Sequence, residues 1–154
     1  MGTEIERKFL VEGDEWRRLG RPTQMTQGYL TNSSDRVVRI RTAGDEAFIT
    51  VKSKAVGISR AEYEYAIPVD DAREMLRELC LKPLIVKTRY ELLHAGHTWQ
   101  VDEYHEPRVA LIVAEIELSR IDEHFERPPW LGKEVSDDPA YYNHNMLMQL
   151  GKSL

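Results

Sequence analysis

The sequence predicts a mainly antiparallel β protein of the α+β class: eight strands, enough to close a small barrel, with helices flanking it. Two observations carry this. Polar and apolar residues alternate with a period of two from Glu4-Ile5-Glu6-Arg7-Lys8-Phe9 almost to the end, which is the period of a strand rather than of a helix. Turn-forming residues (Asn32-Ser33-Ser34-Asp35, Ala43-Gly44-Asp45 and Ala95-Gly96) separate successive runs, as expected of sequential antiparallel hairpins.

Taken in order, the alternating runs place strands at 3–12, 23–31, 35–43, 46–54, 60–68, 85–94, 97–105 and 109–119. Helical spacing interrupts them at 70–81, where Asp70 or Asp71 is suited to cap a segment burying Met75, Leu76 and Leu79. A second helix is expected around 122–125. A third follows Asp138-Pro139 and runs to about Gly151, with Pro139 in its first turn and Tyr142, Met146 and Leu150 on one apolar stripe. No repeat, low-complexity tract or linker is present, and Arg127-Pro128-Pro129 is too short to divide the chain. The 154 residues are therefore expected to form one domain spanning 1–154, long enough to bury a core without staples.

Composition excludes several classes. The lone cysteine, Cys80, permits no intramolecular disulfide and reads as a small apolar helix residue. The first eight residues are charged at once and no later run suits a bilayer crossing, so the protein is expected to be cytoplasmic, with no membrane partner. Without export, the glycosylation-like Asn32-Ser33-Ser34 is simply a turn. A net charge of -5 argues against a nucleic-acid partner held by bulk electrostatics. The five histidines lack the partners and spacing of a zinc site and read as surface or loop residues, and there is no phosphate loop, dinucleotide fingerprint or nucleophilic serine elbow.

Every second residue along the strands is charged: Glu4, Glu6 and Lys8; Arg39 and Arg41; Lys52 and Lys54; Arg60, Glu62 and Glu64; Lys87, Arg89 and Glu91; Asp102; Glu115 and Glu117. Each set shares one face of its strand. The opposite faces carry Ile5, Phe9, Val38, Ile40, Val51, Tyr63, Tyr65, Ile67, Tyr90, Leu92, Trp99, Val101, Ile116 and Leu118, and are expected to lie buried under helices. A solvated polar face would mix signs. Here arginine follows arginine and glutamate follows glutamate, and like charges side by side repel and require counterions. If the sheet closes, these groups converge in a confined bore where a polyanion together with a divalent cation relieves both repulsions. Paired glutamates supply the hard oxygens that Mg²⁺ takes, while arginine forks and lysine ammonium groups suit phosphate oxygens.

Glu4-Ile5-Glu6-Arg7-Lys8 resembles the N-terminal E-x-E-x-K signature of the CYTH, or triphosphate tunnel metalloenzyme, superfamily. The resemblance continues in order through Gln27 to Leu30, Arg39-Ile40-Arg41, Thr50-Val51-Lys52, Arg60 to Glu64, Lys87 to Tyr90, Trp99 to Asp102, Glu115 to Leu118 and Leu131 to Val135. It implies an eight-stranded antiparallel tunnel holding a triphosphate and divalent cations, Mg²⁺ or Mn²⁺, with two ions expected. Carried over by position, Glu4, Glu6, Glu115 and Glu117 are the metal ligands, with Asp102 close by; Glu62 and Glu64 either join them or orient basic side chains. Lys8, Arg39, Arg41, Lys52, Lys87 and Arg89 match phosphate-binding positions, with Arg60, Lys133 and Tyr29 as further substrate contacts and Lys54 as a rim charge. Lys8, Lys87 and Glu117 are the expected catalytic set.

The resemblance implies metal-dependent hydrolysis of a small triphosphate by in-line attack of water, with inorganic tripolyphosphate the simplest substrate because no purine pocket is evident. Two alternatives share this fold: an adenylate cyclase making cyclic AMP from ATP, and a thiamine triphosphatase. A third, from another class, is a non-enzymatic polyphosphate or nucleotide sensor, for which the paired acids have no use. A homodimer is left open.

Overall fold

In the computed structural model, residues 2–31, 33 and 35–142 are described. Their strands are β1 (Gly2–Val11), β2 (Arg21–Tyr29), β3 (Arg36–Ala43), β4 (Glu46–Ser53), β5 (Ser59–Ala66), β6 (Ile85–His94), β7 (His97–Glu106), β8 (Ile112–Glu117) and β9 (Leu131–Glu134). Two helices interrupt them, α1 (Glu15–Leu19) and α2 (Val69–Glu78). The spatial order is β5-β4-β3-β2-β6-β7-β8-β1, and a further pairing of β5 with β1 closes the ring. All pairings are antiparallel, so the expected eight-stranded closed barrel is present. β9 is a ninth strand, paired with β1 through Phe9 and Val11 on the edge opposite β8.

Hairpins do most of the joining. Ala95 (φ 49°) and Gly96 (φ 84°) form a two-residue link between β6 and β7, both left-handed as a primed turn requires. The registers set the interior opposite itself: Glu6 faces Glu117, Lys8 faces Glu115, Glu4 faces Arg60, Lys52 faces Glu62, Gln27 faces Arg41 and Arg89 faces Asp102.

Three apolar clusters hold this ring. Outside β1, β7 and β8, Phe9, Trp99, Val101, Ile116 and Leu118 pack with Trp16 from α1 and Trp130 from the segment before β9. Trp99 meets Phe9, Phe125 and Trp130 edge-on at 5.7, 5.5 and 5.7 Å, and a fully buried ring such as Trp99 or Phe9 contributes roughly 1.5–3 kcal/mol by burial. Outside β3 and β4, α2 lays Ala72 and Leu76 over Ile40 and Ala47, with Cys80 beside them. The third cluster is internal: Tyr29, Val37, Ile85, Tyr104 and Val113 share strand faces with the charged residues and fill one end of the bore with hydrocarbon.

Several expectations are corrected. Asp70 and Asp71 do not cap α2; Pro68 occupies the cap, and the two acids lie in the first turn, where they complement the helix dipole. The expected helix at 122–125 is a turn running into extended chain, because the Glu123 carboxylate binds the Ser119 amide and His97 while Phe125 is drawn into the aromatic cluster. After Asp138 the chain makes only a short 3-10 turn, Pro139–Tyr141; the rest of the helix expected to Gly151, with Met146 and Leu150, lies outside the described residues, as do Asn32 and Ser34 of the expected turn. The outer faces are not uniformly covered: α2 packs on β3 and β4, and Val51, Tyr63 and Tyr65 are exposed. Helix α1 and strand β9 were not expected at all. Among the described residues no helix is long and apolar enough to cross a membrane.

Gly28 shows how tightly α2 is seated. A Cβ there would lie 2.8 Å from both the Cys80 Cβ and a Leu84 methyl. Replacement Gly28→Ala is expected to destabilise the fold by about 1–3 kcal/mol through overpacking at the end of α2, measured as a lowered urea midpoint at constant slope. An unchanged midpoint would show that this approach is looser than the geometry indicates.

Candidate active site

Closing the ring turns strand alternation into a lined chamber. Glu4, Glu6 and Lys8 (β1), Arg39 and Arg41 (β3), Lys52 (β4), Arg60, Glu62 and Glu64 (β5), Arg89 (β6) and Glu115 and Glu117 (β8) surround a cavity of about 250 Å³, together with Tyr29 and Gln100. Thirteen of the residues named from the sequence therefore meet in one place. Lys87 and Asp102 do not line it: both are fully buried behind Arg89. Lys133 is exposed on β9, outside the ring and away from the cavity, and Lys54 is an exposed rim charge 3.8 Å from Asp35.

Acids and bases are interleaved by direct contact. The Lys52 ammonium lies 2.8 Å from Glu4 and 3.3 Å from Glu62, and Arg60 lies 3.2 Å from Glu4. Lys8 sits between Glu115 at 3.0 Å and Glu6 at 3.2 Å. Behind the wall, Arg89 donates twice to Asp102, at 2.7 and 2.8 Å, and Lys87 donates to the same carboxylate at 2.8 Å. One carboxylate thus faces two cations, and Arg89 is held rigidly with its face toward the cavity. Glu64 lies 3.6 Å from Arg39 and accepts from the Thr50 hydroxyl; with Glu62 it contacts basic side chains rather than the acids of β1 and β8.

Two guanidinium groups are less committed. Among the described residues Arg41 has no carboxylate partner; its Nε donates to the buried Gln27 Oε1 at 2.9 Å, and Gln27 in turn donates to the Tyr29 hydroxyl at 3.0 Å. Arg39 donates through Nη2 to Thr50 at 3.1 Å, while its buried Nε has no partner. Buried donors without acceptors are costly; an anion in the cavity removes that cost.

The electrostatics follow from burial and neighbours. Burial, then Arg39 and Arg89, lower the Arg41 pKa, and burial with Arg39 lowers Lys52 against the pull of Glu4. Burial also pushes Lys87 well below the ordinary lysine value, with Arg89 and Arg41 adding to this and Asp102 opposing it. Lys8 goes the other way: Glu115 and Glu6 overcome burial and hold it well above that value. Burial would raise Asp102, but Arg89 and Lys87 outweigh it and bring the carboxyl down to about 2. Glu117 is raised by burial and then by Glu4 and Glu6, and among the described residues it has no basic group within salt-bridge distance. The chamber therefore presses cations together around Arg41 and carboxylates together around Glu117, with Lys8, Lys52 and Arg60 paired to acids between them.

The acid side fits a hard divalent cation by donor type: Glu4, Glu6, Glu115 and Glu117 offer only carboxylate oxygens, and the raised Glu117 carboxyl marks the repulsion that such an ion relieves. Among the described residues no three acidic, histidine or cysteine side chains already converge as a cage. Glu4, Glu6 and Glu115 are instead turned onto Lys52, Arg60 and Lys8, and would exchange those partners to hold the ion.

Gln27, Gln100, Thr50 and Ser136 also belong to the site and were not singled out in the sequence. Parity was enough to find the first three, since Gln27 shares its strand face with Tyr29, Gln100 with Asp102 and Thr50 with Lys52. Ser136 follows β9, outside any alternating run, and carries no such signal.

Relatives agree with this geometry. An inorganic triphosphatase of Acetivibrio thermocellus is 46% identical over 147 residues, covering 96% of this chain and 94% of that protein. An inorganic triphosphatase of Nitrosomonas europaea is 37% identical over 152 residues, covering 96% and 99%. A crystal structure of an inorganic triphosphatase superposes with a TM-score of 0.63 at 33% identity, covering 94% of this chain and 97% of that one. The family implies dependence on a divalent cation. Residues 2–144 match the family model of the CYTH domain, and the chain belongs to that family.

Proposed function

We propose that this chain hydrolyses inorganic tripolyphosphate to pyrophosphate and phosphate, using Mg²⁺ held by Glu4, Glu6, Glu115 and Glu117. The observation that carries the reading is the composition of the cavity: buried guanidinium groups whose charge or donors are not fully matched among the described residues, Arg41 with no carboxylate partner and Arg39 with a partnerless Nε, in one cavity with the glutamates of β1 and β8. A triphosphate would neutralise the guanidinium groups, and a divalent cation held by the glutamates would offset the charge of both triphosphate and glutamates. The relatives at 46% and 37% identity, both inorganic triphosphatases, support the same reading.

When bound, the cation supplies Lewis-acid polarisation of phosphate oxygens and charge neutralisation. The protein's residues do the rest by position. Arg39, Arg41, Lys52, Arg60 and Arg89 line the cavity from β3 to β6 and bind successive phosphate oxygens. Gln27 fixes the fork of Arg41 and Asp102 that of Arg89, so little reorganisation remains when the substrate enters. Lys87, closed off from the cavity, orients Asp102 instead of touching substrate. Glu117, which lines the cavity and among the described residues has no basic group within salt-bridge distance, takes a proton from the attacking water. The new bond forms between that water oxygen and the terminal phosphorus; the bridging P–O bond opposite breaks, and pyrophosphate leaves with the electron pair. Lys8, between Glu6 and Glu115, stays protonated and faces the charge that develops. Lys133 has no part in this scheme, being exposed outside the ring.

The reading is tested by incubating the protein with Mg²⁺ and, separately, tripolyphosphate, ATP, thiamine triphosphate and pyrophosphate. Phosphate and pyrophosphate in equal amounts from tripolyphosphate are expected. Cyclic AMP from ATP would make the protein a cyclase, faster turnover of thiamine triphosphate would change the substrate, and tight binding without turnover of any would make it a sensor.

Replacement Glu117→Gln is expected to lower kcat by about 100-fold or more while the melting temperature of the metal-free protein holds or rises, since a like charge is removed. Full activity in this variant would remove Glu117 from the mechanism.

The pressed-together cations also predict a pH dependence of stability. Folded Lys87 and Lys52 release protons below the ordinary lysine value of 10.5, while the unfolded chain retains them. The unfolded state then binds more protons, so stability rises as pH climbs from neutrality to about 9. A gain of about 2–5 °C in melting temperature is expected over that range, and tripolyphosphate with chelator should reduce it by keeping Lys52, which lines the cavity, charged. A falling curve in the free protein, or a slope indifferent to tripolyphosphate, would contradict the arrangement.

A further inference from the structure

We propose that Ser136 is a positioning residue for Lys8, linked through Glu134 and Arg7 to the aromatic cluster outside the barrel; the proposal rests on the triphosphatase reading above. Its starting point is an irregularity in β1. On the edge facing β9 the pairing of Phe9 with Glu134 and of Val11 with Leu131 shifts register. At Lys8 the regular ladder is replaced: its carbonyl accepts from the Val135 amide at 2.8 Å, but its own amide donates to the Ser136 hydroxyl at 2.9 Å. A side-chain oxygen thus stands where a strand would offer a backbone carbonyl.

That hydroxyl has a single proton, and its direction is set. It is donated to the Glu134 carboxylate at 2.6 Å, much closer than the Lys8 carbonyl at 3.4 Å. The lone pairs of Ser136 Oγ are therefore left for the Lys8 amide. Glu134 is itself held by a fork, accepting from Arg7 Nε at 2.8 Å and Nη2 at 2.6 Å. The Arg7 guanidinium lies over Phe125 at 4.9 Å and Phe9 at 5.7 Å, and both rings contact Trp99. Strand alternation makes the connection useful, because Arg7 projects outward and its neighbour Lys8 projects into the cavity. A chain of contacts runs from the outer aromatic cluster through Arg7, Glu134 and Ser136 to the Lys8 backbone. From there the Lys8 side chain reaches Glu115 and Glu6.

The consequence is specific to turnover. Ser136 is buried against the cavity and the Tyr142 hydroxyl donates to its carbonyl, so the segment is anchored on both sides. Losing the hydroxyl leaves the Lys8 amide without a partner and Glu134 Oε2 with Arg7 Nε alone, and lets β1 shift at its irregular point, displacing the ammonium from the reacting phosphoryl group. Of the cations that bind the remaining phosphates, Arg39 and Arg41 of β3, Lys52 of β4 and Arg89 of β6 lie on strands not paired with β1, and Arg60 of β5 pairs with Glu4, at the other end of β1 from the irregularity.

The test compares kcat and KM of the wild type, Ser136→Ala, Ser136→Thr and Arg7→Gln, with Mg²⁺ and whichever triphosphate the wild type turns over. Ser136→Ala should lower kcat about tenfold or more. Its KM should stay within about twofold of the wild type, and Ser136→Thr, which keeps the hydroxyl, should recover most of the rate. Arg7→Gln, altered outside the barrel, should show the same selective loss of kcat and serves as the readout if Ser136→Ala fails to fold. Equal losses in the alanine and threonine variants, an unchanged kcat in both Ser136→Ala and Arg7→Gln, or a loss confined to KM would overturn the proposal. A wild type that turns over another triphosphate and not tripolyphosphate defeats the substrate assignment alone; a wild type inert toward every triphosphate defeats both.

Discussion

Four residue pairs, Gly2 to Ile5 against Ser59 to Glu62, close the ring, and the charged chamber depends on that seam. An open sheet with the same sequence would present its arginines and glutamates to water, where screening makes each nearly independent of the next. Closure takes most of these side chains out of bulk solvent. Groups that are strangers in sequence, such as Glu4 and Lys52 or Lys8 and Glu115, come within 3.0 Å, and each then alters the ionisation of the others.

Such a chamber does not stabilise the fold by itself. Buried ion pairs gain from attraction roughly what they lose in hydration, and unmatched ones lose more. The asymmetry here, with two cations on Asp102 and none of the carboxylates on Arg41, favours ligand binding over stability. Hydrocarbon on the outer surface compensates: the Trp99 cluster on one flank, α2 on the other and the internal layer of Tyr29, Val37, Ile85, Tyr104 and Val113 at one end. The barrel is thus inverted relative to an ordinary small barrel, with much of its apolar packing outside and its polar groups within.

The same inversion explains how the site and its support communicate. A one-residue step along β1 crosses from Arg7, stacked on aromatic rings, to Lys8, flanked by acids. Packing outside the ring is therefore coupled to side-chain placement inside it through a single strand, and the linkage at Ser136 lies where that strand departs from regular pairing.

What the sequence by itself determined was local and periodic: which runs are strands, where the hairpins turn, and which side chains share a face. That reading identified the cations and carboxylates of the cavity because alternation is a property of neighbours along the chain. It also led to expectations that tertiary structure changed. Asp122 to Phe125 looked helical, but Glu123 and Phe125 are taken by partners on other segments; Tyr63 and Tyr65 looked buried, but α2 packs on β3 and β4 and leaves both exposed. Lys87 and Asp102 have the same parity as Arg89 and Gln100, yet barrel geometry places them behind the wall, a depth that one-dimensional spacing does not encode. Ring closure, the sharing of Asp102 by two cations and the Ser136 contact to Lys8 all join residues far apart in sequence. Only the tertiary structure decided them, because each depends on distances through space that alternation leaves unspecified.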